Sequence, residues 1–184
     1  FRNFVDKMPF GKLPELKKDA VCILGTEQDQ WAVAYSSFIL SKQAGFNIEF
    51  QYGEQPLKDS DFYIMPSVKG QGGMSGKRWK ELVEKVRKGA SLYVSMDLSF
   101  FSKFKDFFGV EVQTRSSGVG SYNYEFKLGK EKLELSFPVK TIYDMKSVGA
   151  DVLGTDKKSG KPVFFETKFG KGTIYLLTFP IETL

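Results

Sequence analysis

The sequence predicts an α/β fold in which a mostly parallel sheet is flanked by helices and followed by a C-terminal antiparallel β portion. Over residues 20–112, short apolar runs alternate with helical patterns, which is typical of right-handed βαβ units in a parallel sheet. From about residue 113 onwards, alternating apolar and polar residues are joined by turns that contain glycine, which is typical of antiparallel hairpins. Apolar residues make up 41% of the chain, which is enough to build a core.

The first predicted elements are a lead-in, a buried strand and a helix. Pro9, Gly11 and Pro14 interrupt any helix within residues 1–19, which we expect to be a linker from an upstream domain. Residues 20–26 (AVCILGT) form a continuous apolar run, as in a strand buried on both faces of a parallel sheet. The following segment predicts a helix that ends near Gly45, because its apolar residues recur at helical spacing: Trp31, Ala34, Tyr35, Phe38 and Ile39.

The parallel part continues with strands on either side of a second helix. Residues 47–52 (NIEFQY) and 61–67 (DFYIMPS) are the second and third predicted strands, and residues 90–98 (ASLYVSMDL) are the fourth. Between the third and fourth strands, residues 75–89 predict a helix with one apolar face: Trp79, Leu82, Val83 and Val86.

The second half of the sequence predicts mainly antiparallel strands. The aromatic segment 100–108 predicts a short buried helix, and a hairpin follows with its turn at Gly129-Lys130. Three more strands are predicted after residue 149, and we expect the last of them to return to the parallel sheet. We therefore expect three units: a linker at 1–19, an α/β domain at 20–112, and an antiparallel β extension at 113–184 packed on that domain.

Composition excludes several classes of site. The chain has no His, so neither a Ser-His-Asp triad nor a Cys-His pair can form within it. The single Cys22 excludes an internal disulfide and a cysteine-rich zinc site, and we predict no catalytic residue, no metal and no cofactor. The net charge of +5 comes from Lys residues spread along the chain, so we expect no nucleic-acid partner. No apolar run is long enough to span a membrane, so we expect no membrane partner.

A glycine-rich segment after the third strand raises the hypothesis of a phosphate-binding loop. Such a loop requires Gly, four residues and then Gly-Lys-Ser/Thr. When Gly76-Lys77 is taken as the Gly-Lys pair, Gln71 replaces the leading Gly and Arg78 replaces the magnesium-binding hydroxyl. We therefore expect the glycines to allow a tight turn at the carboxyl end of the strand, and Ser75 to cap the helix that follows.

Three stretches within residues 20–101 carry a resemblance to a known fold: AVCILGTEQDQW, SFILSKQAGFNIEF and DFYIMPSVKGQGGMSGKRWKELVEKVRKGASLYVSMDLSFF. They resemble the class I glutamine-amidotransferase-like fold, which is flavodoxin-like. They resemble more closely the form that follows the catalytic barrel in family 42 β-galactosidases and related glycoside hydrolases, where it is called the trimerisation domain. The tail GADVLGTDKKSGKPVFFETKFGKGTIYLLTFPIE is similar to the closing segment of such accessory regions. The resemblance implies a non-catalytic accessory domain of a carbohydrate-active enzyme. Its expected partners are an upstream catalytic barrel of the same chain and other subunits of a homo-oligomer.

The resemblance also indicates where an amidotransferase would carry its nucleophile. Enzymes of this fold use a Cys on a sharp turn after a central strand, and the matching place here is Met96-Asp97-Leu98. No Cys stands there, and we expect Cys22 to be a buried thiol in the first strand. Asp97 with Glu27 or Asp29 would be a pair of carboxylates at one sheet edge, the type of pair that glycosidases use. Acids at strand ends commonly cap helices, so we favour that structural role for them.

The loop TEQDQW at residues 26–31 is the most distinctive polar segment. In one interpretation, Trp31 stacks on a sugar ring while the neighbouring amides bind its hydroxyls, which would make the chain an independent carbohydrate-binding module. In the other, which we favour, Asp29 caps the helix and Trp31 packs under a neighbouring domain. Either way, we expect Trp31 near a functional surface. The predicted ligand or interface residues are Glu27, Gln28, Asp29, Gln30, Trp31, Asp97, Phe100 and Phe101.

Overall fold

A computed structural model describes residues 3, 6, 7, 16–70, 73–99 and 104–183 of the chain. Within these residues there are two α-helices, α1 at Gln30–Gln43 and α2 at Gly76–Lys88. Neither is long and apolar enough to cross a membrane. The strands are β1 Ala20–Leu24, β2 Ile48–Tyr52, β3 Phe62–Gly70, β4 Ser91–Ser99, β5 Val110–Ser117, β6 Ser121–Leu128, β7 Glu131–Pro138, β8 Thr141–Ser147, β9 Asp151–Asp156, β10 Pro162–Phe169 and β11 Gly172–Leu177.

Nine of these strands form one mixed sheet in the order β2-β1-β3-β4-β11-β10-β9-β6-β7. The pairings from β2 to β11 are parallel, and those from β11 to β7 are antiparallel. Strands β5 and β8 form a separate antiparallel pair. The α/β class and the antiparallel portion are thus confirmed, but the prediction of a mostly parallel sheet is not. Tight turns such as the one at Gly129 reverse the chain without a helical crossover, so half of the sheet is antiparallel.

The last strand, β11, joins the two halves of the sheet. Thr173–Leu177 pair in parallel with Ser91–Ser95 of β4, and the other edge of β11 pairs antiparallel with β10. The predicted return of the final strand to the parallel sheet is therefore confirmed. As a consequence, a single continuous sheet runs through the predicted boundary at residue 112.

The main core lies between one face of the sheet and α2. Val21 and Ile23 of β1 point into this core, as do Leu82 and Val86 of α2, so the predicted apolar face of that helix is confirmed. Trp79 packs edge-on against Phe107 with ring centroids 5.2 Å apart. Of the predicted aromatic helix, Phe104–Phe108 form a π-helical turn, while residues 100–103 lie outside the described part of the chain.

Helix α1 covers the opposite face, where Val33 packs against Cys22 and Leu24 of β1. It begins after Asp29, as predicted, and ends with Ala44 as its C-terminal cap, next to the predicted stop at Gly45. The predicted cap of α2 is only partly correct. Ser75 occupies the capping position with an extended backbone, but its side chain makes no hydrogen bond to the helix.

Candidate functional site

The loops that follow the parallel strands meet around a cleft of about 270 Å³ at the carboxyl edge of the sheet. Open α/β sheets place their ligands at this edge. Residues from five separate chain segments line the cleft, among them Gln28, Asp29, Lys69, Asp97, Leu98 and Lys140. The structure thus brings Asp29 and Asp97 to the same cleft, as their positions after two strands predicted, and Gln28 lies beside them.

Glycines allow three of these loops to touch one another. Gly73, which has a φ of 65°, lies between the loops after β1 and β2. A β-carbon on Gly53 would overlap the carbonyl oxygen of Gly73, and one on Gly25 would lie 3.0 Å from the Cα of Gly73. The segment after β3 therefore uses glycine for close contact between backbones, which agrees with the predicted tight turn. Gln71, which stands where a phosphate-binding loop would need its leading glycine, lies outside the described residues.

The side chains of the loop before α1 are used to hold its own structure. The Asp29 carboxylate accepts a hydrogen bond from the backbone N–H of Ala32 at 3.2 Å, so the predicted capping role is confirmed. Gln30 donates from Nε2 to the carbonyl oxygen of Gly25 at 2.7 Å. With its amide nitrogen turned towards β3, Gln28 donates to the carbonyl oxygens of Pro66 and Ser67 at 3.1 Å each. The side chains of Gln28, Asp29 and Gln30 therefore each form hydrogen bonds with backbone groups of neighbouring residues or strands.

Glu27 takes part in the same packing of loops. Its carboxylate lies directly over the Cα of Gly70, in the space that a β-carbon there would occupy. Gly70 has a φ of 71°, a conformation that favours glycine. Glu27 therefore reaches from the first loop to the end of β3.

The backbone near the end of β4 has strained geometry. Leu98 adopts a φ of 57°, in the left-handed region that residues other than glycine rarely occupy. This is the place where the resemblance put the nucleophile of an amidotransferase. Leu98 has a hydrocarbon side chain, and the adjacent Asp97 lines the cleft. The position thus combines a strained backbone with a side chain that cannot attack a carbonyl group.

A buried carboxylate lies beneath the cleft. Glu182 accepts hydrogen bonds from Tyr93 Oη at 3.0 Å, from Ser95 Oγ at 2.6 Å and from Ser67 Oγ at 3.1 Å. Ser95 Oγ in turn accepts a bond from the backbone N–H of Ser67, whose φ is 48°. Burial raises the pKa of Glu182 by removing water from its charged form. No local sequence pattern indicates this network, because its members lie far apart along the chain.

Nucleophilic chemistry has little support in the described part of the chain. Cys22 is buried, as predicted, and loss of water raises the pKa of its thiol, which disfavours the reactive thiolate. No group of three or more Cys, Asp or Glu side chains among the described residues is placed to hold a metal ion. The Cys22 thiol is therefore not available to the cleft, whose lining includes the side chains of Asp29, Asp97, Lys69 and Lys140.

The outer side of α1 is the most unusual surface of the protein. Val33, Ser37 and Ser41 face the sheet, while the larger apolar residues face solvent. The exposed fractions are 81% for Trp31, 61% for Tyr35 and 43% for Phe38. A surface helix normally has the opposite arrangement, with its large apolar residues against the core. We call the exposed stripe of Trp31, Tyr35, Phe38 and Ile39 the aromatic face.

Trp31 is thus exposed to solvent, and the expectation that it lies at a functional surface stays a prediction, as does the ligand or interface role of the other residues. Phe100 and Phe101, the other predicted contact residues, lie outside the described part of the chain. Helical spacing placed the apolar residues of α1 on one stripe, but it did not show whether that stripe would face the sheet or the solvent.

Comparison with known proteins shows similarity of fold. No family model and no curated protein sequence matches the chain. The exo-β-1,4-mannosidase Op5Man5 from Opitutaceae bacterium strain TAV5 matches 91% of this chain and 32% of its own, with a TM-score of 0.71 and 16% identity. The GH42 β-galactosidase Gan42B from G. stearothermophilus matches 89% of this chain and 28% of its own, with a TM-score of 0.65 and 14% identity.

A third similar structure is a putative GMP synthase subunit from Thermoplasma acidophilum. It matches 91% of this chain and 86% of its own, with a TM-score of 0.58 and 11% identity. The chain thus spans about a third of the length of the two glycoside hydrolases and most of the length of the small synthase subunit.

Proposed function

We propose that this chain is a non-catalytic accessory domain of a glycoside hydrolase, which serves assembly by docking on the catalytic barrel or on another subunit. The observation that carries the proposal is the aromatic face of α1. A contiguous apolar patch on a helix that turns serines towards its own core is typical of a surface that a partner covers.

Three features of the cleft support a role without catalysis. Leu98 occupies the strained position near the end of β4, Cys22 is buried inside a strand, and Glu182 is turned inward onto three hydroxyl groups. A catalytic group has to reach the substrate in the cleft. None of these three residues combines a reactive group with access to the cleft.

The comparisons support the link to glycoside hydrolases. Several similar structures are such enzymes, and in the mannosidase and the β-galactosidase the matching part is 32% and 28% of the chain. A domain of this size fits beside a larger catalytic unit. The parallel strands in the order β2-β1-β3-β4-β11 support a flavodoxin-like unit related to amidotransferases, to which the antiparallel strands are added.

An independent carbohydrate-binding module is the second candidate, and the exposure of Trp31 and Tyr35 favours it. Sugar binding requires hydrogen-bonding groups beside an aromatic ring. The nearest amides, those of Gln28 and Gln30, are already bonded to backbone, which argues for docking instead. Titration with oligosaccharides, followed by tryptophan fluorescence, distinguishes the two candidates. Saturable quenching that Trp31→Ala abolishes would establish the module.

Hydroxyl-radical footprinting of the natural protein that contains this chain tests the docking role. We expect oxidation of Trp31 and Tyr35 to be several-fold slower there than in this 184-residue chain at submicromolar concentration, because a partner covers the aromatic face. Leu128 and Leu133, exposed on the β6–β7 hairpin, provide the reference within the same molecule. Equal oxidation of Trp31 and Tyr35 in both samples would refute docking through α1.

A further inference from the structure

We propose that a groove beside α2 is a binding site for a neutral oligosaccharide. The groove has a volume of about 640 Å³ and lies between α2, the π-helical turn Phe104–Phe108 and the end of β10. We call it the α2 groove. It does not compete with the docking function proposed above, because α2 and the aromatic face of α1 lie on opposite sides of the sheet.

Three aromatic side chains form a continuous floor in the α2 groove. The ring of Phe107 lies 5.2 Å from that of Trp79 and 4.9 Å from that of Phe169, measured between centroids. Phe107 is buried and supports the other two rings, which are half-buried and keep part of their surface open to the groove. The faces of sugar rings from which C–H bonds point outward stack on apolar surfaces of this kind.

Charged side chains of both signs surround the aromatic floor. Lys80 and Arg87 offer N–H donors, and Glu84 and Asp106 offer carboxylate acceptors. Because two positive and two negative charges balance, the rim does not select a ligand of either charge. A neutral ligand whose hydroxyl groups both donate and accept hydrogen bonds matches this combination of floor and rim, and an oligosaccharide is such a ligand.

The polar groups of the rim are positioned or available for a ligand. Nη1 of Arg87 donates to Glu84 at 2.6 Å, and the guanidinium carbon lies 5.3 Å from the centre of the Phe169 ring. A donor that is already held in place loses less conformational freedom on binding. Lys80 and Asp106 form no hydrogen bond or ion pair with other described residues, so their charged groups remain open to a ligand.

The dimensions of the α2 groove fit a chain of several sugar rings. The groove follows α2 from Gly76 to Arg87, which corresponds to about 16 Å at the helical rise per residue. Its volume falls within the range of ligand sites in proteins, about 300–1,000 Å³. A single sugar ring would cover only part of the floor, so we expect an oligosaccharide to bind more tightly than a monosaccharide.

Calorimetric titration of the 184-residue chain with β-1,4-linked mannohexaose, cellohexaose and galactohexaose tests the site. We expect at least one of these probes to bind with a dissociation constant of about 1 mM or lower. The corresponding monosaccharide should bind at least about tenfold more weakly, because it buries less surface. Absence of saturable binding with all three probes would overturn the inference.

Two alanine substitutions test the rim of the α2 groove. Lys80→Ala and Asp106→Ala each remove an exposed charged group that can bond a sugar hydroxyl, so we expect each to raise the dissociation constant about tenfold. Lys77→Ala is the matched control, because Lys77 is exposed on α2 and does not line the groove. Circular dichroism verifies that all three variants fold. Unchanged affinity in both rim variants, or an equal loss in Lys77→Ala, would refute the site.

The two tryptophans of the chain separate the α2 groove from the aromatic face. In Trp31→Phe, every change in tryptophan emission arises from Trp79. We therefore expect the oligosaccharide that binds by calorimetry to change the emission of this variant in a saturable way. Bound sugar that leaves the emission of Trp31→Phe unchanged would refute binding over Trp79. Failure of these tests leaves the docking function standing, since footprinting of Trp31 and Tyr35 tests that function separately.

Discussion

Gly172→Ala is expected to lower the free energy of unfolding by about 3–4 kcal/mol, because the new methyl group meets backbone on two sides. A β-carbon on Gly172 would overlap the carbonyl oxygens of Val86 and Ala90, at the end of α2 and before β4. Neither carbonyl can move without displacing the helix or the strand. Gly172 opens β11, the strand that joins the two halves of the sheet. Denaturation by urea, followed by circular dichroism, measures the loss.

Gly76→Ala is the matched control for this substitution. Gly76 is the first residue of α2, and a β-carbon there has nothing within 4 Å. Because alanine has the higher helix propensity, we expect a gain of about 0.5 kcal/mol or no change. If Gly172→Ala unfolded at the same urea concentration as the wild type, the close packing of β11 against α2 would be refuted.

Glu182→Ala is expected to cost about 3 kcal/mol of stability. The substitution leaves Tyr93, Ser95 and Ser67 without their shared acceptor and opens a cavity among buried side chains. The Glu182 side chain is buried, so in the variant water cannot readily take over the hydrogen bonds that its carboxylate accepts. Thermal unfolding measures the effect. Ser159→Ala is the control, since its hydroxyl bonds only within an exposed turn.

The pH dependence of stability gives a second test of Glu182. Burial raises its pKa in the folded state, so folding favours the protonated acid. This stabilising contribution is fully present below the unfolded pKa of about 4.3 and is lost as the pH rises through the higher folded value. Glu182→Gln removes the titration. The stability of the wild type relative to Glu182→Gln should therefore fall as the pH rises from about 4 towards neutrality. A difference that is independent of pH would contradict the raised pKa.

Local sequence signals predicted most of the elements. The helical spacing that begins at Trp31 and the apolar run at residues 20–26 located α1 and β1 within a few residues. Strand β8, Thr141–Ser147, was not predicted, because its partner β5 lies more than twenty residues earlier and no turn signal links the two. The mixed sheet was missed for a related reason. Turn residues predict that strands reverse direction, but not that the reversed strands extend the parallel sheet.

The candidate site was predictable only in its local parts. The capping role of Asp29 depends on residues within one turn, and it was predicted correctly. The contact between Glu182 and Ser67 joins residues 115 positions apart, so no window of the sequence contains it. The exposure of the aromatic face depends on which side of α1 meets the sheet. Ser37 and Ser41 are small enough to pack closely there, which turns Trp31 outward.

The reading frame upstream of Phe1 tests the central claim most directly. Because the accessory role requires a catalytic unit in the same protein, we predict that this DNA encodes a (β/α)₈ barrel with two carboxylates at the carboxyl ends of its strands, the pair that cleaves glycosides. Sequencing the gene decides the matter. A start codon next to Phe1, or an upstream domain without such a barrel, would contradict the assignment to a glycoside hydrolase.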